Sequence, residues 1–221
     1  MIDDLLAILA PHPCYGCGKI GTLLCDNCKY NIINEYANSC IACGKLAGNE
    51  GVCRSCSTPY VRGWCIGERT NELQMLIDGY KFQYERAAYR PLADLLLNCI
   101  DQLPGNTVVV PISTISSHIR QRGYDHTYLI AREFARRRGL KLQRPLLRLT
   151  KSTQRNANRA TRIAQAKRAF CVSQKLSHAV PYLLIDDVIT TGSTLTYATL
   201  AMKAAGAREV WVAAIARQPL D

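Results

Sequence analysis

The sequence predicts an α/β fold: a parallel sheet with crossover helices, preceded by a small cysteine-rich unit. Two observations carry this. Eight of the eleven cysteines form four Cys-x2-Cys pairs between Cys14 and Cys56. Further along, short β-branched apolar runs alternate with amphipathic stretches, the order of a βαβ chain. Apolar residues make up 48% of the 221 positions and charged residues 20%, which excludes a mainly disordered chain. No apolar run approaches the roughly 18 residues of a membrane-spanning helix. The start, Met1-Ile2-Asp3-Asp4, lacks the basic opening of a secretory signal. A transmembrane or secreted protein is therefore not expected, and the expected location is the cytoplasm.

The chain divides by composition into residues 1–66 and 67–221. The first part carries five basic and five acidic residues and little apolar material, so cross-links are expected to hold it. The second carries all of the net charge of +11. Its elements are read in order. Residues 85–103 predict a helix, with Leu92, Leu95, Leu96, Cys99 and Ile100 at helical spacing and Pro91 in the first turn or at a kink. Residues 107–112 predict a buried strand. Residues 127–138 predict a basic amphipathic helix bearing Leu129, Ile130 and Phe134. Tyr182 to Asp186 predicts a second strand, 194–205 a helix ended by Gly206, and Val210 to Ile215 a third strand.

The pairs are Cys14/Cys17, Cys25/Cys28, Cys40/Cys43 and Cys53/Cys56. A Cys-x2-Cys turn presents two thiolates from one knuckle, and two knuckles make a tetrahedral sulfur cage suited to Zn²⁺. Four pairs give two cages. Chain neighbours would join first with second and third with fourth; an interleaved pairing is the alternative. An all-sulfur cage leaves no position for water, so two structural zinc ions are expected. Without a secretory signal, the spacing reads as metal ligation in a reducing compartment and not as a disulfide framework. Cys65, Cys99 and Cys171 stand alone and read as buried thiols.

The stretch Leu183-Leu184-Ile185-Asp186-Asp187-Val188-Ile189-Thr190-Thr191-Gly192-Ser193-Thr194-Leu195 carries the most information. A buried strand delivers two adjacent carboxylates to its carboxyl end, and a hydroxyl-rich loop around Gly192 then opens a helix. Backbone N–H groups, hydroxyls and a helix N-terminus converge there, an arrangement that binds phosphate. In open α/β sheets the carboxyl ends of the strands are where ligands sit. Two carboxylates beside a phosphate site make sense if they hold ribose hydroxyls, or a Mg²⁺ that the substrate brings.

This stretch resembles the phosphoribosyl-pyrophosphate (PRPP) motif of type I phosphoribosyltransferases. The likeness extends through the four cysteine pairs, "YKFQYERAAYRPLADLL", "VVVPIS", "RQRGYDHTYLIAREFA" and a basic stretch ending "RAF". That order is similar to the competence ComF/GntX family, a type I phosphoribosyltransferase-like domain behind a double zinc ribbon. The resemblance implies that Asp186 and Asp187 contact the ribose hydroxyls and carry the catalytic role. It gives the 5′-phosphate to Thr190, Thr191, Gly192, Ser193 and Thr194, with Val188 and Ile189 leading into that loop. Pro111, Ile112 and Ser113 fall at the pyrophosphate loop, and Lys81 matches a lysine that meets the pyrophosphate, with Mg²⁺ accompanying PRPP. Where the family usually has Arg-Gly-Phe-Asn-Gln, this chain has Arg122-Gly123-Tyr124-Asp125-His126. His126 reads as a solvated or capping histidine in preference to a proton-transfer group. Only the region around residues 64–80 and the cysteine unit is placed to recognise a base, and the sequence names none.

Residues 120–168 contain fifteen Lys or Arg and two acids, Asp125 and Glu133. Three readings stand: an arginine-rich loop closing over pyrophosphate, a track for a nucleic-acid backbone, or a solvated basic face. The family's link to DNA uptake in natural transformation favours the second. It makes single-stranded DNA the expected partner, held by Arg155, Arg159 and Arg162, with the uptake machinery at the inner membrane a further one. Two functions follow: a PRPP-binding competence protein that handles single strands, or an active transferase of nucleotide metabolism whose acceptor base the sequence leaves open.

Overall fold

The computed structural model describes residues 12–35, 39–149 and 169–219. Helix α1 spans Asp26–Glu35, strand β1 Arg62–Glu68, helix α2 Asn71–Phe82 and, after a 3₁₀ turn at Arg86–Ala88, helix α3 Tyr89–Cys99. Strand β2 (Val108–Pro111), helices α4 (Ser116–Arg122) and α5 (His126–Arg138) and strands β3 (Lys141–Leu142) and β4 (Leu146–Arg148) follow. Strands β5 (Phe170–Val172) and β6 (Tyr182–Ile189), helix α6 (Ser193–Ala204) and strand β7 (Val210–Arg217) complete the order.

The main sheet has five strands in the order β1-β7-β6-β2-β3, every neighbouring pair parallel. A β4–β5 antiparallel pair stands apart. Alternation along β6 sorts its side chains to the two faces. Leu183 and Ile185 join a core with Leu76, Leu92, Ile130 and Phe134 of α2, α3 and α5. Leu184 joins a second core with Leu195 and Met202 of α6 and with Leu146 and Phe170 of the small sheet. Both faces are covered, which is why the central strands read as continuous apolar runs. Among the described residues no helix is long and apolar enough to cross a membrane.

The expected strands and helices appear with shifted ends. Helix 85–103 begins only at Tyr89, its first turn holding Pro91. Strand β6 runs three residues past Asp186, to Ile189, and β7 ends at Arg217. Strand β1 carried no clear sequence signal because Gly63 and Gly67 interrupt its apolar pattern. It pairs with β7 from Arg62↔Trp211 to Glu68↔Arg217 and so runs across the 66–67 border read from composition.

The cysteine unit is a duplicated hairpin. In the first copy Cys14 N donates to Lys19 O at 2.9 Å and Gly18 N to Cys14 O at 2.8 Å. In the second, Cys40 N donates to Lys45 O at 2.7 Å and Gly44 N to Cys40 O at 2.8 Å. Gly18 and Gly44 both have φ of 74°. The copies dock on opposite faces of the sheet. Leu23, Leu24 and Ile32 join the α2/α3/α5 core, whereas Ile41 and Tyr60 join the α6 core. Arg217, at the end of β7 and buried, donates to the carbonyls of Cys40 (3.2 Å), Ile41 and Ala42 (3.5 Å). Hydrogen bonds from a charged donor to buried carbonyls tie the second knuckle to the sheet.

Candidate functional site

Each group of four cysteines comes together as chain neighbours: Cys14, Cys17, Cys25 and Cys28 in one, Cys40, Cys43, Cys53 and Cys56 in the other, with sulfurs within 4.8 Å of one another. The interleaved alternative does not occur. Cys17 and Cys25 sulfurs lie 3.6 Å apart, as do those of Cys43 and Cys53. A tetrahedron with Zn–S bonds of about 2.3 Å has edges of about 3.8 Å, so the spacing fits. The electrostatics fit as well. Burial pushes the Cys14 thiol up, but N–H groups of Cys17, Cys25 and Gly16 outweigh it and bring it down to about 6. The Ser55 hydroxyl and then neighbouring thiols bring Cys53 to about 6. Such donors stabilise thiolates, the form that ligates metal. These are two four-cysteine clusters able to hold zinc.

The second site is a cleft of about 280 Å³ beside the carboxyl ends of β2 and β6. Asp186 and Asp187 reach it from β6, Ile112 and Ser113 from the end of β2, Thr194 from α6, and Lys81 and Phe82 from α2. His118 and Arg122 of α4, His126 at the start of α5 and Arg148 of β4 also line it. Both carboxylates are 8% exposed. Lys81 Nζ lies 2.7 Å from Asp187 Oδ2, and His126 Nε2 lies 2.6 Å from the same oxygen. Arg122 Nη1 is 3.0 Å from His126 Nδ1. A guanidinium only donates, so Nδ1 accepts and the ring proton sits on Nε2, the nitrogen beside the Asp187 carboxylate.

These contacts separate the two acids. Burial, then the Asp187 charge, push Asp186 up to about 7. Burial also pushes Asp187 up, but Lys81 and His126 outweigh it and hold its carboxyl well below the usual range. As pH falls below neutrality the pair therefore takes up its first proton on the Asp186 side.

The loop after β6 turns through Gly192, whose φ of +72° lies in the left-handed region that favours glycine. Thr191 Oγ1 and Ser193 Oγ are 2.9 Å apart, and α6 starts at Ser193. Of the residues singled out from the sequence, Lys81, Ile112, Ser113, Asp186, Asp187, Val188 and Thr194 meet in the cleft. Ile189 is buried at the strand end, Thr190, Thr191 and Gly192 form the connecting loop, Ser193 opens α6, and Pro111 pairs with Ile185 inside the sheet. Arg155, Arg159 and Arg162 lie outside the described residues.

His126 is the main departure from the sequence reading. It is neither solvated nor a cap but 7% exposed against Asp187. The cap is Asp125, which accepts from Tyr128 N at 3.2 Å, from Thr114 Oγ1 at 2.9 Å and from Arg144 Nη2 at 2.8 Å. The altered Tyr124-Asp125-His126 stretch was the one available signal. It flagged a change and not a direction, because burial of a lone histidine depends on what packs around it.

The chain is 27% identical to Competence protein F of Haemophilus influenzae over 87% of this chain and 96% of that protein. It resembles the ComF-type competence proteins along most of its length. Competence protein ComFC of Bacillus subtilis is 23% identical over 79% of this chain and 75% of its own. No family model matches the chain. Among solved structures, an adenine phosphoribosyl transferase from Trypanosoma brucei in complex with AMP, pyrophosphate and ribose-5-phosphate is 18% identical, with a TM-score of 0.38. That match covers 62% of this chain and only 55% of the other, too loose a superposition to bear on ligand or mechanism.

Proposed function

We propose that the protein binds PRPP, or a related phosphoribosyl ligand, in the cleft between β2 and β6, and handles single-stranded DNA as part of natural transformation. The observation that carries the first half is one cleft that joins two buried carboxylates, the cations Lys81, Arg122 and Arg148, and Thr194 at the end of the glycine-turned hydroxyl loop. Asp186 and Asp187 take the ribose hydroxyls. Thr190 to Thr194 take the 5′-phosphate at the start of α6, where N–H groups and the helix dipole favour an anion. Lys81, Arg122 and Arg148 face the pyrophosphate. The second half rests on the competence relatives and on the basic segment from Arg120 onward, including exposed Arg144 and Arg148. Transfer of the phosphoribosyl group to a base is the second reading, favoured by those cations, which would stabilise a departing pyrophosphate.

Two cysteine cages that hold zinc would serve the fold alone: all four ligand positions in each are sulfur, leaving none for substrate. Mg²⁺ supplies charge neutralisation on the pyrophosphate when it arrives with PRPP.

Calorimetric titration tests this reading. Wild-type protein should bind PRPP, more tightly with Mg²⁺. Gly192→Val should weaken binding roughly tenfold, because the left-handed backbone costs a branched residue about 1–2 kcal/mol. Open space around Gly192 makes backbone strain, not a clash, the cause. The same preparation should bind single strands with an affinity that falls with salt at roughly −0.7 per neutralised phosphate. Equal PRPP affinity in both proteins removes the phosphate-loop assignment.

A further inference from the structure

The inner stripe of α2 is Leu73, Leu76, Ile77 and Tyr80, all buried at helical spacing. Phe82 lies off that stripe and is 63% exposed. Of the exposed large apolar side chains among the described residues, Phe82 alone lines the cleft that holds Asp186 and Asp187. A ring left in water there contributes nothing to the core.

Its surroundings are ordered. The Arg122 guanidinium lies 5.5 Å from the ring centroid and is held at its other contact by His126 Nδ1. The ring remains mostly open despite this neighbour. The turn after Phe82 places Tyr84 at φ 60°, an unusual conformation for a bulky residue. Next to it, Glu85 Oε2 accepts from Tyr15 OH at 2.5 Å, and Tyr15 sits between Cys14 and Cys17 in the first knuckle. The cysteine cage thus braces the turn that carries Phe82.

We infer that Phe82, backed by Arg122, is a stacking platform for a nucleobase at the mouth of the cleft. The inference rests on the phosphoribosyl reading and adds a ligand class to it. An aromatic face and a guanidinium plane accept any purine or pyrimidine ring, because every base has a π face. Ser113 and Thr114, also in the lining, donate their hydroxyl protons to Leu146 O and Asp125 Oδ1, so each keeps a lone pair that can accept from a heterocycle's N–H, which a purely apolar ring would waste. The base can belong to a mononucleotide or to a single strand, and the chemistry is the same for both.

The test compares ribose 5-phosphate, UMP and an oligothymidylate by calorimetry on the whole protein, in wild type, Phe82→Ala and Phe82→Trp. If the platform takes mononucleotides, wild type binds UMP roughly tenfold more tightly than ribose 5-phosphate, and Phe82→Ala brings that ratio close to one. If it takes strand bases, Phe82→Ala weakens the oligonucleotide by a similar factor. Phe82→Trp restores whichever effect is seen. The platform is overturned if UMP and ribose 5-phosphate bind alike in wild type while Phe82→Ala leaves oligonucleotide affinity unmoved. Failure of ribose 5-phosphate and UMP to bind at all would instead count against the phosphoribosyl reading, and the oligonucleotide comparison alone would then decide the platform.

Discussion

Cys14→Ser should remove one of two metal ions per chain and unfold the first hairpin, with the largest loss of stability of any single change in the protein. Structural zinc in small cysteine domains contributes on the order of 10 kcal/mol, comparable to the whole stability of a typical domain. The hairpin has little else: its buried side chains are few, and Leu23, Leu24 and Ile32 are covered only because the cage holds them against α2 and α3. Loss should spread beyond the ligands, because Tyr15 leaves Glu85 and Lys29 leaves Asp94, 3.1 Å away on α3. Cys40→Ser should have the matching effect on the other face by releasing the carbonyls that Arg217 holds. Elemental analysis with thermal melts checks both. Cys171→Ser, which lies in neither cage, should keep both metals; a wild-type count of one or none would contradict two cages.

Asp186→Asn should make the protein more stable at neutral pH and less pH-dependent. The folded carboxyl titrates at about 7, whereas a free aspartate titrates near 3.9. A raised acid pKa contributes stability that is complete below about pH 4 and is lost as pH climbs toward 7, because the unfolded chain has already released its proton. Each unit in that window costs about 1.4 kcal/mol. Asp187 works the other way, but its contribution is already complete above about pH 4 and does not vary in the window. Between pH 5 and 7 wild type should therefore lose roughly 2 kcal/mol relative to the variant, on the order of 5–10 °C in Tm. Asn keeps an oxygen for the Asp187 N–H, now 2.9 Å from Asp186 Oδ1, so the strand end need not change. Melting curves that stay parallel across this range would mean Asp186 is ionised in the folded protein.

What the sequence made legible was local. Asp186, Asp187 and the Gly192 loop are contiguous, so their chemistry can be read in order along the chain. The four cysteine pairs are likewise self-announcing, though only the fold decides that neighbours join. Strands β2, β6 and β7 were visible because burial on both faces leaves unbroken apolar runs. Strand β1 was not, since Gly63 and Gly67 break the run. The three-residue strands β4 and β5 are shorter than any periodicity can reveal. His126, Arg122 and Phe82 were hidden for a different reason: each owes its role to a partner distant in sequence. His126 meets Asp187 across sixty-one positions, and nothing near either residue encodes that meeting.

If the cleft between β2 and β6 is a phosphoribosyl site, a crystal structure with PRPP and Mg²⁺ at saturating concentration should hold the ligand there. The 5′-phosphate should lie on the Thr190–Thr194 loop, the ribose hydroxyls within hydrogen-bond reach of Asp186 and Asp187, and the pyrophosphate toward Lys81. A ligand seated elsewhere on the chain, or a cleft without ligand at that concentration, would contradict this reading.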